Sequence, residues 1–211
     1  GDPLGGTLAP GAEIAMLGVQ LHTRRRNRLF GSVGTMSPDG FTIDVRQTLG
    51  ICPQYIQGRE PEFTRDPMAN HESPVHRTDR LDGTAQAIIA AADTYFVASA
   101  NPREADGPAK GADVSHRGGR PGFVRVDDDA TLTAPDFVGN FIFNTLGNWQ
   151  IDDRAGLLFL DFDKGDLVYI AARAEIIWDG PEVRAFTGAQ RLVRYHIEEV
   201  IRVEASLPAR F

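Results

Sequence analysis

The feature that most constrains this chain is its punctuation: short stretches of strand character, each closed by a turn signal, with few runs long enough for a helix. Phe41-Thr42-Ile43-Asp44-Val45 alternates with the period of two that turns one face of a strand toward a core. It follows Ser37-Pro38-Asp39-Gly40, where Pro presets φ and Asp and Gly suit the next positions. Residues 14–21 and 29–36 read as strands before it, which makes an antiparallel meander. Asp163-Lys164-Gly165 joins residues 156–162 to 167–177 as a hairpin. Residues 95–100, 123–126, 131–134 and 191–203 read as further strands. Helical spacing is confined to 78–92, capped by Thr78 or Asp79, to 140–149, and to a short turn over 52–57 with Pro53 first. Residues 101–120 read as a long, polar, glycine-rich loop. Many short strands with turn signals and few helices predict a mainly β barrel.

Two hairpins overlay without gaps. Ala15–Leu21 matches Gly156–Phe162 in pattern, and the same offset places Gly31-Ser32-Val33 on Ala172-Arg173-Ala174. Chance similarity between hairpins is the plain alternative. As a repeat, the first copy is incomplete: a helix, strands and a loop precede the second hairpin, but only residues 1–13 precede the first. Residues 1–60 then read as the last strands of a partial barrel. Residues 61–78, with Pro61, Pro67 and Pro74, read as a linker, and 79–211 as a complete barrel. On this reading the chain is the later part of a longer protein.

A formal net charge of −7 and a pI near 5.2 disfavour a nucleic-acid partner. The single cysteine, Cys52, excludes an intrachain disulfide and points to the cytoplasm. No apolar run approaches the 18 residues or so of a membrane span. There is no P-loop, G-x-G-x-x-G or G-x-S-x-G. His22, His71, His76 and His196 lack metal-ligand spacing, so no metal is expected.

Several clusters carry chemistry. Ser115-His116-Arg117-Gly118-Gly119 offers a hydroxyl, a guanidinium fork and glycines whose N–H groups can converge on an anion; a solvated loop has the same composition. His116 titrates near neutrality, as an acid–base group or as a hydrogen-bonded structural histidine. Asn140, Asn144 and Asn148 share a helix face, with Thr145 beside them; their amides suit a polar ligand or a short helix's caps. The run Arg24-Arg25-Arg26-Asn27-Arg28 is a solvated turn or a source of one or two arginines for a ligand phosphate. Cys52 ahead of Pro53 has a place where a thiolate is favoured; a packed small hydrophobe is the alternative.

Asp113-Val-Ser-His-Arg-Gly-Gly-Arg-Pro-Gly-Phe-Val-Arg-Val126 is followed by Thr131-Leu132, Pro135-Asp136, Gly139-Asn140 and Asn144-Thr145-Leu146-Gly147-Asn148, then by Ala155–Phe162 and Ala172–Ile176. In order and spacing, residues 80–200 resemble the FMN-binding split β-barrel proteins related to pyridoxamine 5'-phosphate oxidase. Thr23-Arg-Arg-Arg-Asn-Arg28 and Cys52-Pro-Gln-Tyr-Ile-Gln57 are similar to a two-barrel subgroup. The resemblance implies a mainly β split barrel with a few short helices, one complete barrel preceded by part of a second. It also implies FMN held between barrels, in a homodimer or between the halves of one chain. The cofactor-binding residues it points to are Ser115, His116, Arg117, Gly118, Gly122, Phe123, Pro135, Asn140, Asn144, Thr145, Arg25 and Arg26; it designates no catalytic residue. The oxidase proper begins and ends one strand with an arginine and a lysine for the flavin phosphate. Pro121–Val126 lacks that arrangement, which puts vitamin B6 oxidation in doubt. The implied function is an FMN-dependent oxidoreductase or flavin reductase with NAD(P)H or a small-molecule electron acceptor. A non-catalytic flavin-binding module and a flavin-free barrel for another ligand, such as haem, are the alternatives.

Overall fold

A computed structural model describes residues 6–69, 71–102, 111–139 and 142–211. Its first unit is an antiparallel sheet of β1 (Glu13–Gln20), β2 (Arg25–Ser37) and β3 (Gly40–Ile51). Arg24, at φ 54°, makes the left-handed turn that joins β1 to β2. The expected turn at Ser37–Gly40 joins β2 to β3, with Ser37 and Gly40 as the last cross-strand pair.

After β4 (Glu62–Phe63) and β5 (Val75–Thr78), helix α1 (Gly83–Ala91) leads into the main sheet. Asp82, not Thr78 or Asp79, caps α1: its carboxylate accepts from the Ala85 N–H at 2.7 Å, because only there does the backbone turn from extended to helical. The helix buries Ala85, Ile88 and Ile89. Burying each isoleucine side chain contributes roughly 1.5–3 kcal/mol.

The main sheet comprises β6 (Thr94–Asn101), β7 (Gly111–Gly118), β8 (Arg125–Val126), β9 (Thr131–Phe137), β10 (Arg154–Leu160), β11 (Leu167–Ile177) and β12 (Ala189–Val203). Its order is β7-β6-β10-β11-β12-β9-β8, antiparallel throughout. The long strand β12 holds β11 along one edge and shares the other between β9 and β5. Helices α2 (Asn144–Trp149) and α3 (Pro181–Ala185) and a last strand, β13 (Ala209–Arg210), which pairs with β4, complete the elements. The core runs through Tyr95, Leu132, Trp149, Phe159, Val168 and Tyr195. Mainly β with a few short helices is therefore the observed class, and no described helix is long and apolar enough to cross a membrane.

Four local expectations are corrected. Residues 52–57 form no helix; a turn closes from the Ile56 N–H to the Pro53 carbonyl at 3.1 Å, and Tyr55 sits at φ 67°. Residues 61–78 do more than connect, since β4 and β5 lie within them. The loop expected over 101–120 contains β7, whose polar residues gain buried partners that local composition does not reveal. Only the first residue of the basic run, Arg24, lies in the turn; Arg25, Arg26 and Arg28 belong to β2.

The two hairpins that overlay in sequence have one register. Glu13↔Ser32 through Val19↔Arg26 fall, at the offset set by Ala15 on Gly156, on Arg154↔Arg173 through Leu160↔Leu167. The third strands agree as well. Between Phe30 and Gly31 the ladder to β3 skips Arg46, and between Ala171 and Ala172 the ladder to β12 skips Glu198. A bulge adds a residue and re-aims its strand, so both sheets bend at matching positions.

Candidate functional site

Strand alternation puts Arg26 and Arg28 on one face of β2, and β2 packs against β7. Arg28 is 4% exposed. Its Nη1 donates to Asp113 Oδ1 at 2.7 Å and to Ser115 Oγ at 2.6 Å, both on β7. Thr145, in the first turn of α2, donates to Asp113 Oδ2 at 2.7 Å. A buried carboxylate is costly unless paired and hydrogen-bonded, and Asp113 is both. Burial holds the Arg28 guanidinium below its usual range, and Asp113 offsets part of that.

A second pairing lies across the cavity. Arg117 on β7 forms an ion pair with Asp136 on β9, whose other oxygen is 3.5 Å from Arg191 Nη1 on β12. Burial alone would lower the Arg117 pKa; Asp136 and the Tyr95 and Tyr195 phenols outweigh it, and the pKa is raised.

Arg26 is different. Its partners among the described residues are main-chain carbonyls, of Cys52 at 2.9 Å and His116 at 3.4 Å, and its Nε has none. Burial, then Arg28 and Arg117, bring its pKa down to about 10. His116 is 6% exposed, and among the described residues neither ring nitrogen has a hydrogen-bond partner. Burial, then Arg26 and Arg117, push it down to about 4, so the ring is neutral at physiological pH. Leaving a buried polar group unpaired costs about 1–3 kcal/mol.

The segment after β3 closes this space. Tyr55 donates from its hydroxyl to the Val138 carbonyl at 2.8 Å and lays its ring 5.6 Å from that of Phe137. Its own carbonyl oxygen lies against Gly118, where a Cβ would overlap it. Only glycine at 118 lets this segment approach β7 so closely. The enclosed space is about 100 Å³. That is well below the roughly 300–1,000 Å³ of a pocket for a whole cofactor, and it suits a phosphate group.

Ser115, His116, Arg117, Gly118, Phe123, Pro135, Thr145 and Arg26 all line the cavity. Gly122, at φ 83° in the turn before Phe123, does not. Arg25 and Asn144 are exposed and do not line it either. Arg25 faces away because it is one residue out of phase with Arg26 and Arg28. Asn140 lies outside the described residues. Asn148 donates to Ser99 Oγ at 3.0 Å, which pins α2 to β6 instead of addressing a ligand. The glycine-flanked amides of 115–118 form no loop nest, because those residues pair with β6 in a ladder. Cys52 is exposed at the cavity wall, not packed.

Sequence reasoning missed Arg28, Asp136 and Tyr55 as lining residues and Asp113 behind them. The signal for Arg28 was present in the alternation from Arg26 through Arg28 to the buried Phe30. No local pattern marks Asp113.

No protein-family profile matches the chain, and no curated protein is similar to it. Solved structures similar to it include HupZ of Group A Streptococcus, at 13% identity over 56% of this chain and 90% of that one, with a TM-score of 0.43. A Lactobacillus delbrueckii protein, provisionally assigned as a pyridoxamine 5'-phosphate oxidase, shows 18% identity over 58% of this chain and 94% of its own, TM-score 0.43. An FMN-binding protein of Syntrophomonas wolfei shows 11% identity over 55% and 80%, TM-score 0.38.

Proposed function

We propose that this chain binds a phosphate-bearing ligand, FMN, with the phosphate in the cavity between β2, β7 and α2. The observation that carries the reading is the Arg26 corner of the cavity, where among the described residues a guanidinium is held by main-chain carbonyls alone. Such a corner favours an anion that accepts hydrogen bonds, and arginine's planar fork suits phosphate. Arg28 and Arg117 are already matched by Asp113 and Asp136, so they add field without needing a new partner. Ser115 and Thr145 bring hydroxyls to the same wall. The motif order quoted above adds the flavin to the phosphate. When bound, FMN would supply the redox chemistry, with NAD(P)H or a small-molecule acceptor as the other reactant. The chain's own residues bind and orient it, and no side chain need act as an acid or base.

The matched register and bulge of the two sheets support reading residues 1–60 as the end of a second barrel, 61–78 as the connection and 79–211 as the complete one. In that reading one half of the site, Arg26 and Arg28, comes from the first barrel. The small cavity leaves the rest of the cofactor outside it, where a second copy of the chain in a homodimer would complete the cover.

The test is the visible spectrum of the protein after FMN is added and the excess removed. Retained flavin bands are expected, and Arg26→Ala should weaken retention by about 10–100-fold, the worth of one hydrogen bond to a charged group. Asn144→Ala should change nothing. A colourless protein overturns the flavin. If it is nonetheless stabilised by phosphate esters, the flavin-free reading takes its place, which the cavity's size also favours.

A further inference from the structure

An aspartate followed by glycine is open to attack by the glycine nitrogen on the aspartate's own carboxyl carbon, because no Cβ crowds the five-membered ring that forms. Three such dipeptides lie within the described residues: Asp39-Gly40, Asp82-Gly83 and Asp179-Gly180. A fourth, Asp106-Gly107, lies outside them. Their surroundings separate the three. Gly40 is committed to the β2–β3 ladder as the partner of Ser37. The Asp82 carboxylate caps α1, accepting from the Ala85 N–H at 2.7 Å, and its other oxygen lies 3.5 Å from Arg202 Nε. In each of these two, one reacting group is held elsewhere. Asp179 follows β11, and its side chain is 86% exposed. Its Oδ1 accepts from the N–H of the next residue, Gly180, at 2.6 Å. That oxygen is bonded to Cγ, so the same contact keeps the carboxyl carbon beside the nitrogen, and proximity of this kind removes much of the entropic cost of a reaction. Gly180 stands at φ 127°, a backbone that side-chain-bearing residues rarely adopt. Arg184 donates from Nη1 to the same oxygen at 3.2 Å, where it offsets the negative charge that gathers as the nitrogen attacks.

We propose that Asp179 is a modification site, where the folded chain converts spontaneously to isoaspartate through a cyclic imide with the Gly180 nitrogen. In the first step the bond from Gly180 N to Asp179 Cγ forms and a Cγ–O bond breaks. The amide proton and one proton from solvent leave with that oxygen as water. In the second step water cleaves the bond between the Gly180 nitrogen and the main-chain carbonyl carbon of Asp179. The chain then runs through Cγ and is one methylene longer, and the α-carboxylate of Asp179 is free. No electrons are exchanged, water is the only co-reactant, and no ligand is needed for either step. The added methylene falls between β11 and α3, directly after Trp178. The Trp178 ring lies 5.6 Å from the Arg191 guanidinium, which stands 3.5 Å from Asp136 in the cavity wall. The free α-carboxylate of an isoaspartyl residue is also the group that a repair methyltransferase esterifies, so the aged chain becomes a substrate for an enzyme of that class.

The experiment ages the whole chain at neutral pH, folded and in parallel in concentrated urea, with samples taken over weeks. Peptide maps that separate isoaspartyl from aspartyl peptides of equal mass give the conversion at residues 39, 82 and 179, and the imide is seen as a peptide lighter by one water. Methyl transfer by an isoaspartate-specific methyltransferase counts the same product independently. In the folded chain, conversion at 179 is expected to run about tenfold or more ahead of that at 39 and 82, since its attack geometry is already formed. In urea the three rates should come together, because the contacts that distinguish the sites are gone. Arg184→Gln removes the cation beside the carboxyl and should slow conversion at 179 in the folded chain, leaving 39 and 82 unchanged. Should that variant fail to fold, the comparison of native with urea-unfolded wild type stands without it. Absence of isoaspartate at 179 in the folded chain, equal native rates at the three residues, or the same lead of 179 in urea overturns the proposal.

Discussion

Removing the Asp113 carboxylate tests the account of how the two sheets are held together. Asp113 is 2% exposed and accepts from Arg28 of β2 and Thr145 of α2, so Asp113→Ala leaves a buried guanidinium and a hydroxyl without their acceptor. Breaking a buried pair from one side costs about 3–5 kcal/mol, a large part of the roughly 5–15 kcal/mol that keeps a domain folded. For a chain of this size each kcal/mol lowers Tm by about 2–4 °C, so a fall of roughly 6–20 °C is expected by circular dichroism. Urea denaturation should show a lower midpoint with an unchanged slope. The double variant Arg28→Met with Asp113→Leu should be more stable than Asp113→Ala alone, because it leaves no charge unmatched. A loss below about 1 kcal/mol, the worth of an exposed ion pair, would refute the reasoning. So would simple additivity of Arg28→Met and Asp113→Leu, since partners in one pair must couple.

Acid should destabilise the protein through His116. Its folded pKa, about 4, lies below the ordinary value near 6.5, so the unfolded chain binds the proton first. Stability attributable to this group is present above about pH 6.5 and falls as pH drops toward 4, by ~3 kcal/mol in all; His116→Phe should flatten that limb of a stability-against-pH curve, and an unchanged limb would count against a buried neutral ring. Gly118→Ala should displace the Tyr55 segment, cost about 1–3 kcal/mol as overpacking does, and speed proteolysis at residues 52–57; unaltered proteolysis would mean the close approach is unimportant. Asn148→Ala should lose about 1 kcal/mol with its bond to Ser99, and the exposed Asn144→Ala none, read by thermal melts.

The hairpins were legible because their turn chemistry and period agree. Residues 167–177 form a strand with the boundaries expected, since Asp163-Lys164-Gly165 closes the preceding turn and apolar residues fill the inward side. Strand β7 was illegible for the opposite reason. Its buried positions include Asp113 and His116, residues that composition assigns to loops; Asp113 is inside because Arg28 pairs with it, and His116 because burial keeps its ring uncharged. In the basic run composition does not tell Arg25, which faces solvent, from Arg28, which is nearly sealed; the alternation that ends on the buried Phe30 does. Short-range pattern reports which elements exist; the partners of a buried charge lie far along the chain, 85 residues away for Arg28 and Asp113.

The shared register of the two hairpins has a consequence for folding. A chain that builds one ladder twice offers each strand a wrong partner of the right length, and repeat proteins misassemble by such exchanges. The inward positions distinguish the copies. Val168, fully buried in β11, is answered in β2 by Asn27, and the buried Ala172 by Gly31. Putting β2 where β11 belongs would bury an amide without a partner and leave a void where a methyl group should be. Each substitution is small, yet both penalise the same error, so the differences between the copies keep the two sheets from exchanging strands while the chain folds.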